Sequence, residues 1–186
     1  MNIFQIDNLF SDIELKIIND SINSLKKTDN ENDSSLGRTF VLKLDVPDSI
    51  KEKINKVCSD FLGIDLVFTH VAYAEYNNLH GNPNLPPHYD NDGNVLVVDY
   101  QLKANTSWNL GVNLKSYPLQ DNSALIFNAN QHVHWRPHKI FKDDEYVKML
   151  FFRVHDPKNN INHFYPDNNE NNESIKEARR FRDSLS

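Results

Sequence analysis

The chain has 186 residues, 39% of them hydrophobic and 25% charged, so a single domain can bury a core without disulfides or partners. Its 20 Lys and Arg stand against 26 Asp and Glu, and a net charge of −6 disfavours nonspecific binding to nucleic acid. The one cysteine, Cys58, excludes an internal disulfide and a Cys-based zinc site, and five glycines without a P-loop or GxGxxG argue against a glycine-loop nucleotide binder. No apolar run approaches the roughly 20 residues of a membrane span, and MNIFQIDNLF lacks the basic-then-apolar layout of a signal peptide. A cytoplasmic domain with no membrane partner is expected.

Phe4 and Ile6 alternate with polar neighbours and predict a short strand. Ser11 followed by Glu14 is a capping-box signature. Leu15, Ile18, Ile22 and Leu25 then recur at helical spacing, which predicts a helix over 11–27. Residues 28–37 have the composition of a polar loop, and Phe40, Leu42 and Leu44 alternate as a strand. Pro47 and Ser49 open a second helix, with Ile50, Ile54, Val57, Cys58 and Phe61 on one face.

From residue 64 the hydrophobic period changes to two. Strands are predicted over 64–76, 95–102, 107–114, 123–127, 131–136 and 146–154, with turn signals at Asp92-Gly93 and Asp121-Asn122. After Pro157 the chain is polar and Asn-rich, and a weakly amphipathic helix near 173–185 carries Ile175, Ala178, Phe181 and Leu185. The pattern predicts an α+β, mainly β domain built as a sandwich or barrel, of which a jelly roll is one form. Its helical and strand segment is 1–62, its β core 63–156, and a polar tail with a short helix follows over 157–186.

Histidine placement carries the chemical signal. His88 lies in PPHYDND, and His132, His134 and His138 crowd into QHVHWRPH. In an extended segment alternate side chains share a face, so His88 and Asp90 point together and Tyr89 points away. Two such groups can occupy adjacent positions around one metal ion. A third ligand must come from a neighbouring strand, and His134 is best placed because its strand follows the apolar SALIF run after a short link. Two histidines and one carboxylate on one side of an ion make the facial triad of non-haem Fe(II) oxygenases. A lone HxD is weak, and a single histidine is more often a solvated side chain than a ligand. The combination and its order carry the case.

Taken together, NIFQIDNLFSDIEL, a strand ending in AEY, PPHYD, SALIFNANQHVHWRP and YVKMLFFRV resemble an Fe(II)/2-oxoglutarate-dependent dioxygenase of the prolyl 4-hydroxylase-like kind. The resemblance spans roughly residues 1–155. It implies a double-stranded β-helix core with the amino-terminal helices packed on it, Fe(II) as metal, 2-oxoglutarate as cosubstrate and O2 as oxidant. His88, Asp90 and His134 map onto the iron ligands, with His132 as runner-up and His138 beyond Pro137 as a loop residue. The family binds the distal carboxylate of 2-oxoglutarate with a cation near the final strand, often beside a tyrosine hydroxyl. Lys148, then Arg136, then Arg153 are the candidates here, with Tyr76 as the hydroxyl.

The implied reaction is hydroxylation of a C–H bond in a peptidyl or small-molecule substrate, giving succinate and CO2. Asp90 stands where iron halogenases carry Gly or Ala, which favours hydroxylation, and the absence of an RxNLTFR-like strand disfavours DNA repair. The segments 77–87 and 103–107 are expected to flank the mouth. Two other classes remain open at this stage: a cupin-like metal enzyme that does not use 2-oxoglutarate, and a noncatalytic jelly-roll binding module.

Overall fold

The computed structural model describes residues 3–25, 31–33, 36–81, 83–158 and 166–185. In chain order the elements are β1 (Phe4–Asp7), α1 (Asp12–Asn23), β2 (Glu31–Asp33), β3 (Arg38–Val41), α2 (Asp48–Leu62), β4 (Val67–Asn77), β5 (Leu85–His88), β6 (Leu96–Ala104), β7 (Leu110–Val112), β8 (Lys115–Tyr117), β9 (Ser123–Phe127), β10 (His134–Arg136), β11 (Tyr146–His155) and α3 (Glu173–Asp183). The architecture is mainly β. A seven-stranded sheet runs β1-β9-β6-β11-β4-β3-β2 and a four-stranded sheet runs β5-β10-β7-β8. From β4 onward the chain passes back and forth between the two sheets, and every pairing is antiparallel. No helix of the described residues is long and apolar enough to cross a membrane.

The local signals have direct physical counterparts. The Ser11 hydroxyl accepts from the Glu14 amide, and the Glu14 carboxylate accepts from the Ser11 amide at 2.7 Å. Helix α1 therefore starts where the capping box sets it, and it ends at Asn23 rather than 27. Helix α2 ends at Gly63, whose φ of 70° is the left-handed conformation that suits glycine. The two helices cover one face of the large sheet. There Ile18, Ile50, Ile54 and Cys58 pack on Tyr100, Ile126, Leu150 and Phe152, all fully buried. Burial alone pushes the Cys58 thiol up to about 12.

Three strands escaped the sequence pattern. Residues Glu31–Asp33 pair with β3 inside the expected loop, whose residues 28–30 and 34–35 lie outside the described residues. Strand β8 is the return arm of a short hairpin with β7. Strand β5 contains Pro86 and Pro87, which cannot donate to a ladder, and it lies at the edge of the small sheet, where such residues are tolerated. The strand expected over 131–136 is shorter, because the Gln131 and His132 amides donate to the Asn128 carbonyl in a turn. Gly111 faces Trp135 so closely that an added Cβ would lie 2.0 Å from the indole, so the indole fills the space that the glycine leaves.

Candidate metal centre

His88 ends β5 and His134 begins β10, and the two are direct register partners across the small sheet. Their ring centroids are 4.2 Å apart, and Phe127 packs edge-on against the His134 ring. Each Nδ1 faces a backbone carbonyl two residues earlier, Pro86 at 2.8 Å and His132 at 3.3 Å. An Nδ1–H donated to those carbonyls leaves a lone pair on each Nε2. Both Nε2 atoms point at Asp90 Oδ1, at 3.6 Å from His88 and 3.4 Å from His134.

One donor atom from each of His88, Asp90 and His134 lies within 4.8 Å of the others. Three lone-pair donors converging on one point repel one another unless a cation or protons lie between them. The donor set, two imidazoles and a carboxylate on one side, suits a divalent transition ion. Burial, with His134 beside it, pushes His88 down to about 4, so its imidazole is neutral and able to ligate at physiological pH. Burial opposes ionisation of Asp90, but His134, Arg153 and His88 outweigh it and hold the carboxyl well below the usual carboxylate range. Arg153 Nη2 lies 2.8 Å from Asp90 Oδ2, although that oxygen meets no donor at hydrogen-bond angles, and Arg153 Nε faces Asp92 at 3.4 Å.

The centre opens into a cavity of about 360 Å3 between the two sheets. Arg136 lies in its wall, on the strand of His134, and is 1% exposed. Its guanidinium donates to the Trp108 carbonyl at 2.6 Å and to Asp99 at 3.1 Å. Tyr76 lines the same cavity, stacks edge-on against Trp108 and accepts from Arg38 at 3.2 Å. Arg153 also lines it. Three arginines, Arg38, Arg136 and Arg153, thus balance Asp90, Asp92 and Asp99 around the cavity, drawn from both sheets.

Lys148, the leading cation by sequence, is not among the lining residues. Along β11 the cavity takes Phe151 and Arg153, and Lys148 belongs to the alternate face, where it pairs with Glu75 at 3.6 Å. His132 is outside the triad as well: it lies in the turn before β10, with its Nδ1 3.0 Å from the Asn113 amide. Residues 103–107 do not line the cavity. Asn105 and Thr106 bond instead to the segment 144–146, whereas Leu36, Phe40 and Leu42 are among the lining residues. Sequence reasoning passed over Arg38, His70 and Asp99. Only Asp99 left a signal, as a lone carboxylate within the apolar run VLVVDYQL. Burial, then Arg153, lowers the pKa of His70.

No protein-family model and no curated protein matches the sequence. Solved structures do. A viral collagen prolyl hydroxylase from Paramecium Bursaria Chlorella virus-1 is 15% identical with a TM-score of 0.56, over 83% of this chain and 90% of that one. The chain shares its fold. A Trichoplax adhaerens prolyl hydroxylase, solved in complex with a hypoxia inducible factor peptide fragment, is 14% identical with a TM-score of 0.63 over 84% of each chain. HygX from Streptomyces hygroscopicus, solved with nickel and 2-oxoglutarate bound, is 8% identical with a TM-score of 0.64, over 90% of this chain and 92% of that one.

Proposed function

We propose that the chain is an Fe(II)- and 2-oxoglutarate-dependent dioxygenase that hydroxylates a C–H bond of a peptidyl or small-molecule substrate. The observation that carries this reading is the convergence of His88 Nε2, His134 Nε2 and Asp90 Oδ1 on a cavity that the buried Arg136 also lines. The passage of the chain from β4 onward between two antiparallel sheets, with β7 and β8 successive in one sheet, supports a double-stranded β-helix reading. Relatives in fold include prolyl hydroxylases, one of them with a peptide, and one protein with nickel and 2-oxoglutarate.

In this reading the two imidazoles and Asp90 hold the metal on one side and leave the other side open. The Arg153 charge lies 2.8 Å from Asp90 Oδ2, and Oδ1 is the oxygen that faces the two imidazoles. Arg136, with Tyr76 and Arg38, receives the distal carboxylate of 2-oxoglutarate, because burying that anion without a cation would be very costly. The lining arginines and aspartates balance, so a divalent ion and a dianionic cosubstrate enter together without leaving net charge. Val97, Phe127 and Phe151 keep the reacting end poor in water. When bound, the metal supplies O2 activation coupled to decarboxylation of the cosubstrate, and succinate and CO2 are the co-products.

The test is succinate formation dependent on both Fe(II) and 2-oxoglutarate, with anaerobic Fe(II) binding measured alongside. His88→Ala or Asp90→Ala is expected to abolish both, and substantial turnover retained in both variants would overturn the assignment. The Asp99 partner of Arg136 favours a second reading, a metal enzyme of this fold that does without 2-oxoglutarate. Iron bound tightly with no product dependent on 2-oxoglutarate would select it.

A further inference from the structure

The residue between the two neighbouring metal ligands is held from outside the β core. Tyr89 follows the last residue of β5, at the edge of the small sheet, so no ladder continues through it. Its amide donates to Asn168 Oδ1 at 2.7 Å, and its carbonyl accepts from Asn168 Nδ2, also at 2.7 Å. One side-chain amide thus does for Tyr89 what an adjacent strand would do. The same device appears at Asn122, which accepts from the Phe10 amide at 2.9 Å and donates to the Phe10 carbonyl at 2.7 Å, fixing the segment that leads into α1.

The side chains complete the attachment. Tyr89 alternates with His88 and Asp90, and Trp135 alternates with His134 and Arg136. Both outward-facing aromatics are buried in one cluster with Val133 and with Ile175 and Ala178 of α3. Phe181 of α3 packs edge-on against Trp135, with ring centroids 6.0 Å apart. Arg182 adds a bond to Asn84, just ahead of β5. Helix α3 therefore seats on the back of both strands whose front faces carry the ligands.

We propose that Asn168 and α3 are positioning elements of the metal centre: they fix the His88–Asp90 backbone and its spacing from His134, and so set the affinity of the site for a divalent transition ion. This rests on the metal reading given above. The physical reason is geometric. Ligand atoms must meet an ion within a few tenths of an ångström. The Asp90 amide is held on the core side by the Ala129 carbonyl at 2.9 Å, and Asn168 supplies the bonds to Tyr89 on the other side, where β5 has no neighbouring strand among the described residues. Asn168 is itself exposed. Its truncation deletes two hydrogen bonds without opening a core cavity, which separates positioning from folding.

The experiment titrates the metal-free full-length protein with Co(II), followed by its visible absorption. It is run on wild type, Asn168→Ala, and Asn171→Ala as a neighbouring control. Asn168→Ala is expected to weaken Co(II) binding by about 10-fold or more, the effect typical of outer-shell partners. The metal-free unfolding midpoint should fall by no more than a few degrees. Hydrogen exchange at the Tyr89 amide should accelerate in the same variant, and Asn171→Ala should match wild type throughout. Phe181→Ala is expected to weaken Co(II) binding in the same direction. If wild type binds Co(II) and Asn168→Ala binds it equally well, the positioning role is overturned and the metal reading stands. If wild type binds no Co(II), the metal reading falls and takes the proposal with it.

Discussion

The two faces of the seven-stranded sheet are built from the same strands to opposite ends. On the helix side, Tyr100, Leu150, Phe152 and Val154 meet Ile18, Ile50 and Ile54 in one buried apolar cluster. On the cavity side, one residue along each strand, stand Asp99, Phe151 and Arg153, with His70 and Tyr76 of β4 beside them. Strand alternation alone separates the layers. The first is an apolar cluster with a fully buried centre. The second tolerates charge because each carboxylate meets an arginine, as in Asp99 with Arg136 and Asp90 with Arg153. A protein of this size can thus keep its stability in one layer and concentrate reactive groups in the other.

That division can be tested at neighbouring positions. Phe152 is fully buried against Phe10 and Tyr100. Phe152→Ala should cost about 3–5 kcal/mol in urea unfolding while the folded fraction binds metal as wild type does. A loss of metal affinity in the folded fraction would show that the layers are not independent. Arg136→Met leaves Asp99 buried without its cation and should cost a similar amount, about 3–5 kcal/mol. The double change Arg136→Met with Asp99→Leu should recover most of it, and a double variant as unstable as the single one would break the charge-pairing account. The smallest effect belongs to Phe151→Ala. This ring is half-buried and borders the cavity, so its loss should cost under about 2 kcal/mol and appear mainly as weaker substrate or cosubstrate binding.

Much of this was legible in the sequence because it depends on neighbours along the chain. The capping box placed the start of α1, and Gly63 follows the apolar face of α2. The HxD spacing put His88 and Asp90 on one face whatever they faced. Two features hid the rest. Strand β11 is apolar on both sides, Val147, Met149 and Phe151 against Leu150, Phe152 and Val154, so its alternation carries no sign of which side meets the cavity. Lys148 and Arg153 were therefore distinguishable as opposite but not as outside and inside. Strand β5, with two prolines, matches no strand propensity and exists because an edge position demands few amides.

The sequence by itself determined the periodicities, the caps, the spacing of His88 and Asp90 two residues apart and the excess of acid over base. Those follow from backbone geometry and composition, which are local. Tertiary structure decided that His134 rather than His132 faces Asp90, because a turn at Asn128 uses the residues before β10. It decided that Arg136 and Arg153 line the cavity and Lys148 does not. It also brought Asn168 to the Tyr89 peptide, 79 residues away along the chain. Each of these depends on which strand pairs with which and in what register, and a pattern of residue types constrains that only through the whole fold.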